Sequence, residues 1–98
     1  MRFPILDLET TGLEERGGYI LEVGVLITDE TFTELASRSW VLGHPIEAVL
    51  AGITPQAREM HEKSGLLDRV AEAFALETQP YSRHGAVAEE VLTFLGAH

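Results

Sequence analysis

Phe3-Pro4-Ile5-Leu6-Asp7-Leu8-Glu9-Thr10-Thr11-Gly12-Leu13 is the stretch on which the reading of this chain turns. Arg2 to Leu8 is a short apolar run with β-type content and predicts a strand. Pro4 stands near its start, where a missing N–H is tolerated. Asp7 and Glu9 are two residues apart, so on a strand they point to the same face. They leave the apolar run at its end, beside the hydroxyls of Thr10 and Thr11 and the open backbone of Gly12. Like charges this close repel, and protonation or a cation relieves the repulsion. Oxygen-only donors suit Mg²⁺ or Mn²⁺ rather than zinc. Taken alone, Asp-x-Glu fits a solvated strand end in a Glu-rich protein better than a cation site.

Outward from this stretch, Thr10 to Gly18 carries three glycines and reads as a loop. Tyr19 to Thr28 is rich in Ile, Val and Leu and predicts a long strand. Asp29-Glu30-Thr31 is a turn, and Phe32 to Leu42 returns as a third strand. Its Phe32, Glu34, Ala36, Arg38 and Trp40 share a face by period two. Short connections make these three strands an antiparallel meander. The chain then changes character. Pro45 opens one or two helical turns, Ile46 to Ala51, closed by Gly52. Thr54 is a suitable N-cap with Pro55 at the first helical position, for a helix to about Glu62. Ser64 can cap another, with Leu66, Leu67, Val70, Ala71 and Phe74 on one stripe. Glu77 to Ser82 reads as a loop. A last helix, about Ala86 to Leu95, is expected to bury Val87, Val91, Leu92 and Leu95 and to end at Gly96.

The composition sets bounds on this reading. The chain has 98 residues, enough for one small domain. It is 45% hydrophobic and 23% charged, which is globular rather than disordered. No apolar run approaches the ~20 residues of a membrane span. The apolar start meets Asp7 too soon for the core of a signal peptide. There is no cysteine, hence no disulfide, thiolate chemistry or Cys-ligated zinc, and a cytoplasmic setting is expected. The net charge of −9 argues against binding nucleic acid through a basic surface. It leaves room for an enzyme that meets phosphates through bound metal ions. Only Asp7, Asp29 and Asp68 are available as aspartate ligands.

Asp7-Leu8-Glu9-Thr10-Thr11-Gly12-Leu13 resembles the first motif of the DEDD-type 3′→5′ exonucleases. Tyr19-Ile20-Leu21-Glu22-Val23-Gly24-Val25 looks like that family's second strand, with Asp29 in its hairpin turn. His61-Glu62-Lys63-Ser64-Gly65-Leu66-Leu67 is similar to the His-x-x-Ser-Gly-Leu segment of oligoribonucleases. Ala88 to Leu95 resembles the helix that precedes that group's next catalytic strand. The resemblance spans nearly the whole chain. It implies a ribonuclease H-like fold of the α/β class, here in α+β order. It also implies metal-dependent removal of nucleotides from a 3′ end. In that family two divalent ions, Mg²⁺ or Mn²⁺, lie ~3.5–4 Å apart and clamp the attacking and leaving oxygens. Asp7 matches the acid that bridges both ions, and Glu9 a ligand of the ion that activates water. Thr10 matches a contact to the 3′-terminal nucleotide, Leu13 an apolar wedge against the bases, and His61 a histidine near the nucleotide pocket. Without that resemblance, Leu13 reads equally as a loop anchor and His61 as a solvated helix residue. Gln56 stands where oligoribonucleases usually carry a tryptophan, which weakens stacking on that side.

The family uses two further carboxylates, in an Asn-x-x-x-Asp-like motif and in His-x-x-x-x-Asp, both after the last helix read here. This sequence contains no asparagine. Asp29 lies in a turn and Asp68 on an early helix, and the His84-to-Glu89 spacing is a chance match. Glu22 is expected to pair with a basic residue or face solvent. Residues 1–98 are therefore expected to form a partial exonuclease domain holding the first catalytic motif alone. Two carboxylates should make at most a weak metal site, with little activity. The next strand of the family sheet pairs with the first, so Phe3 to Leu8 is expected as an exposed apolar edge. That edge invites the missing C-terminal half or a homodimer partner. The function implied is an exoribonuclease acting on short single-stranded RNA or dinucleotides, with no membrane partner. The alternatives are a DNA proofreading-type exonuclease and a non-catalytic remnant serving as an interaction module.

Overall fold

The computed structural model describes residues 1–12, 18–76 and 80–98, with side chains over the same ranges except 80–85. Strands β1 (Phe3–Thr10), β2 (Ile20–Thr28) and β3 (Glu34–Val41) form an antiparallel sheet in the order β1-β2-β3. Helices α1 (Ile46–Gly52), α2 (Pro55–Ser64), α3 (Leu66–Leu76) and α4 (Pro80–Ala97) follow. The expected meander followed by helices is present, and the architecture is α+β. It is compatible with the N-terminal portion of a ribonuclease H-like fold.

The sheet has two unlike faces. In register, Ile5, Asp7 and Glu9 lie opposite Leu26, Gly24 and Glu22, which continue to Ser37, Ser39 and Val41 on β3. The other face carries Val25 and Ile27 of β2 with Ala36, Arg38 and Trp40 of β3, and α4 lies on it. Val87 of α4 is buried there, and Phe94 meets the Trp40 ring edge-on at 6.0 Å. Arg38 adds a bond to each layer: its guanidinium sits 4.8 Å over the Trp40 ring and pairs with Glu90 at 3.6 Å. A second core joins the end of the sheet to α1 and α3. Leu21, Val49, Leu66, Leu67 and Val70 form it, and all are buried.

Local rules place both ends of α2. The Thr54 hydroxyl accepts from the Ala57 amide at 3.3 Å and starts α2 ahead of Pro55. Gly65, in the left-handed region at φ 77°, stops it. The Ser64 hydroxyl then accepts from the Leu66 amide at 3.3 Å, as its reading as a cap requires.

Five readings need correction. β1 continues through Thr10, so the carboxylates lie within the strand rather than at its end. β3 starts at Glu34, because Phe32 adopts φ 63° and belongs to the turn. α2 runs to Ser64, two residues past Glu62. α4 begins at Pro80, where a proline in the first turn loses no helical bond, so part of the expected loop is helix. Residues 77–79 of that loop lie outside the described residues. Leu92, expected in the core, is 69% exposed, and Phe94 packs in its stead. Among the described residues β1 pairs with β2 alone. Ile5, Leu6 and Leu8 are 43–58% exposed along it, as the edge reading expects.

Candidate active site at the open strand

The alternation of β1 places Asp7 and Glu9 on the face that α4 does not cover. Asp7 lies opposite Gly24, whose missing side chain leaves the space above it open. A groove of about 550 Å³ runs there between Ile5, Asp7, Gly24, Ser37 and Ser39. Glu9 borders a second groove of about 520 Å³, with Thr10, Gly12, Thr54, Gln56 and Met60. Gln56, at the position matched to a tryptophan, thus lies on the Glu9 side, where it offers an amide rather than a stacking ring.

Glu9 faces Glu22 across the strands, a repulsive pairing. The Arg69 guanidinium of α3 relieves it by pairing with Glu22 at 3.3 Å. This is the basic partner expected for Glu22, and it leaves Glu9 uncompensated. Neither Asp7 nor Glu9 has a hydrogen-bond or ion-pair partner among the described residues. Two unpaired carboxylates on one strand face are suitable donors for a hard cation. They supply only part of the six or more oxygens such an ion takes. Among the described residues no three His, Asp or Glu side chains converge to complete the set.

The backbone just past Glu9 is tied down on all sides. The Thr10 carbonyl accepts from Nε2–H of His61 at 2.7 Å. The Thr11 carbonyl accepts from the Thr54 amide at 2.8 Å. Thr11 also bridges to Tyr19: its amide donates to the Tyr19 carbonyl at 3.1 Å, and its hydroxyl accepts from the Tyr19 amide at 3.0 Å. The Gly12 amide donates to the Thr10 hydroxyl at 3.2 Å. Gly12 itself has φ 133°, and a Cβ there would overlap the Thr54 side chain. A glycine is required on both counts.

The structure therefore brings Asp7, Glu9, Thr10 and His61 together, but not as four exposed groups. His61 is 1% exposed and lies under the strand end, bonded to Thr10, rather than out in solvent. Leu13 lies outside the described residues. Two participants escape a reading by motif. Thr54 is recognisable as a helix cap, but its backbone bond to Thr11 links positions 43 apart in sequence. His44 follows β3 and holds the Ile20 carbonyl at 2.8 Å. Beside Gly43 and Pro45 it reads as an ordinary loop residue.

No family model matches the chain. Relatives by sequence do. It is 34% identical over 85 residues to an oligoribonuclease of Azoarcus sp. (strain BH72), covering 87% of this chain and 47% of that protein. It is 33% identical over 93 residues to the oligoribonuclease of Shewanella loihica, covering 95% and 48%. The chain is oligoribonuclease-like. A third such relative, from Nitrosomonas europaea, is 31% identical over 93 residues, with 95% and 48% covered. The oligoribonuclease-like chain thus spans about half the length of the curated relatives it matches, consistent with an N-terminal portion. Among its described residues no helix is long and apolar enough to cross a membrane.

Proposed function

We propose that this chain supplies the first-motif half of a cytoplasmic, metal-dependent 3′→5′ exoribonuclease acting on short oligoribonucleotides. The observation that carries this reading is the pair Asp7 and Glu9, unpaired and on one open face of β1 beside a tied-down strand end. Asp7 would bridge two divalent ions, Mg²⁺ or Mn²⁺, and Glu9 would hold the one next to the attacking water. Bound there, such ions neutralise phosphate charge and make water more acidic. The chain's own residues do the rest of the positioning. Gly24 leaves the space over Asp7 free, and Thr10 and Gly12 offer the groove wall along which a 3′-terminal nucleotide would lie. Leu13 would wedge against a base. Two carboxylates hold an ion weakly, so the full rate needs further ligands, from a segment corresponding to the rest of the relatives' length or from a partner copy.

Mn²⁺ titration by NMR line broadening tests the ligands. The wild-type chain is expected to broaden first at residues 7–9, and Asp7→Asn or Glu9→Gln to abolish that effect. Line broadening that is uniform over the acidic surface and indifferent to both substitutions would sink the assignment. Hydrolysis of labelled diribonucleotides is expected to be slight for this chain. Ribonucleotides cleaved no faster than deoxyribonucleotides would favour a proofreading-type DNA exonuclease instead. The exposed β1 edge favours a second reading, an interaction module without catalysis. Partner capture unchanged in the Asp7→Asn and Glu9→Gln variants, with no Mn²⁺ effect, would support that reading.

A further inference from the structure

Among the described residues two buried histidines do the same thing in the same place. His61, from α2, donates to the Thr10 carbonyl at 2.7 Å. His44, from the segment after β3, donates to the Ile20 carbonyl at 2.8 Å and lies 4.7 Å from the Tyr19 ring. Thr10 and Ile20 are cross-strand partners, and the β1–β2 register shifts between Glu9 and Thr10. Glu9 still pairs with Glu22, so Leu21 is the extra residue of a bulge. The two imidazoles therefore grip the two strands at the point where their pairing is least constrained.

That point matters for the carboxylates. A one-residue slip of register turns every side chain of a strand to the other face. At β1 it would carry Asp7 and Glu9 away from the open face. A carbonyl oxygen only accepts, so each ring must present Nε2–H to it. His61 and His44 are 1% and 7% exposed. Burying an imidazole is costly unless its polar atoms are bonded, and an aliphatic side chain would fill the volume without that demand. Two such groups on one strand pair answer a need for directional bonds rather than for bulk.

We propose that His61 and His44 are positioning residues: a pair of imidazoles, each donating from Nε2–H, that pins the β1–β2 bulge at Thr10 and Ile20 and so keeps Glu9 in place for a cation. The cation part rests on the reading of Asp7 and Glu9 above; the pinning of the bulge does not. Three measurements on the 98-residue chain test it. Nitrogen-15 NMR of the imidazoles is expected to show a hydrogen on Nε2 of both rings. An Nδ1–H tautomer at either ring overturns the clamp. Amide exchange at Thr11 and Tyr19 is expected to quicken at least tenfold in His61→Leu relative to core amides such as Val25. His61→Gln, which returns a donor near Nε2, should restore most of the protection. Exchange that quickens equally at Val25, with no rescue by Gln, makes the histidine a mere core filler and overturns the proposal. Mn²⁺ affinity is expected to fall about tenfold in His61→Leu, the range seen when groups that orient a metal ligand are removed, and to recover in His61→Gln. Unchanged affinity overturns the link to Glu9. If the Leu variant does not fold, the wild-type tautomers and the Gln variants of both histidines decide alone. Mn²⁺ binding that survives Asp7→Asn condemns the ligand reading, and exchange and tautomer then judge the clamp.

Discussion

Asp29 shows how much a single side chain settles in a tight turn. Its Oδ1 accepts from the Thr31 amide at 2.8 Å, the Thr31 hydroxyl at 2.7 Å and the Thr33 amide at 3.1 Å. The Thr31 hydroxyl bond, and then the two amides, favour the carboxylate and hold its pKa below the ordinary 3.8. A depressed folded-state pKa stabilises the fold above the unfolded value, and that contribution is lost as pH falls through the folded one. The melting temperature should therefore drop on acidification below about pH 4, and the drop should be shallower in Asp29→Asn. Identical acid limbs for the two proteins would refute the assignment. Three positions on, Phe32 holds φ 63° where glycine is usual in such a loop. Phe32 is 80% exposed and loses little packing. Phe32→Gly is expected to raise stability by about 0.5–1 kcal/mol in urea melts, since a side chain in the left-handed region costs about 1 kcal/mol or more. The turn was legible in Asp-Glu-Thr, but nothing in that string announces that a phenylalanine takes the glycine position. Asp7 and Glu9 were legible because the strand period alone puts them on one face. His61 was legible as a residue of interest but not as a buried one, since its bond reaches 51 positions back along the chain.

At the scale of elements, what the sequence made plain was local: alternation, caps and stops. Thr54, Pro55 and Gly65 bound α2 as their chemistry dictates. The errors arose where distant packing or context decided. The exposure of Leu92 depends on which side of α4 meets the sheet. Gly43 is a further case of distance. A Cβ there would stand 2.5 Å from the Phe74 amide nitrogen and 2.7 Å from its Cα, so β3 leaves the sheet in direct backbone contact with α3. Gly43→Ala must push the two apart and is expected to cost roughly 1–3 kcal/mol by urea denaturation. Because His44 is the next residue, the same shift should also loosen its hold on Ile20. Gly52, at the end of α1, has nothing within 4 Å of its virtual Cβ. Gly52→Ala is expected to stay within about ±0.5 kcal/mol. A cost at position 52 equal to that at 43 would mean that contact with α3 is not what Gly43 protects.

The whole molecule has one side closed by α4 and an edge without a neighbour among the described residues. Its radius of gyration, 14.6 Å, exceeds the ~13 Å of a compact domain of this length. At β1, Ile5, Leu6 and Leu8 stay 43–58% exposed, and among the described residues no strand lies beside its outer backbone groups. Native edges are commonly guarded by charge. Here Asp7 and Glu9 interrupt the apolar run on one face, while Leu6 and Leu8 on the other have no such guard. The net charge of −9 opposes association at long range, and salt screens it over about 10 Å at 0.1 M. Two opposing terms thus meet at one strand, an attraction that salt does not weaken and a repulsion that it does. The chain is accordingly expected to self-associate with rising concentration in sedimentation velocity runs, and more so at 0.3 M than at about 0.03 M NaCl. Leu6→Lys places a charge at the centre of the edge, away from the Asp7 face, and should shift the distribution to monomer at both salt levels. A wild-type chain that stays monomeric throughout would show that Asp7 and Glu9 guard the edge by themselves. Association that Leu6→Lys leaves intact would place the contact elsewhere, with Leu92 on α4, 69% exposed, as the next surface to charge.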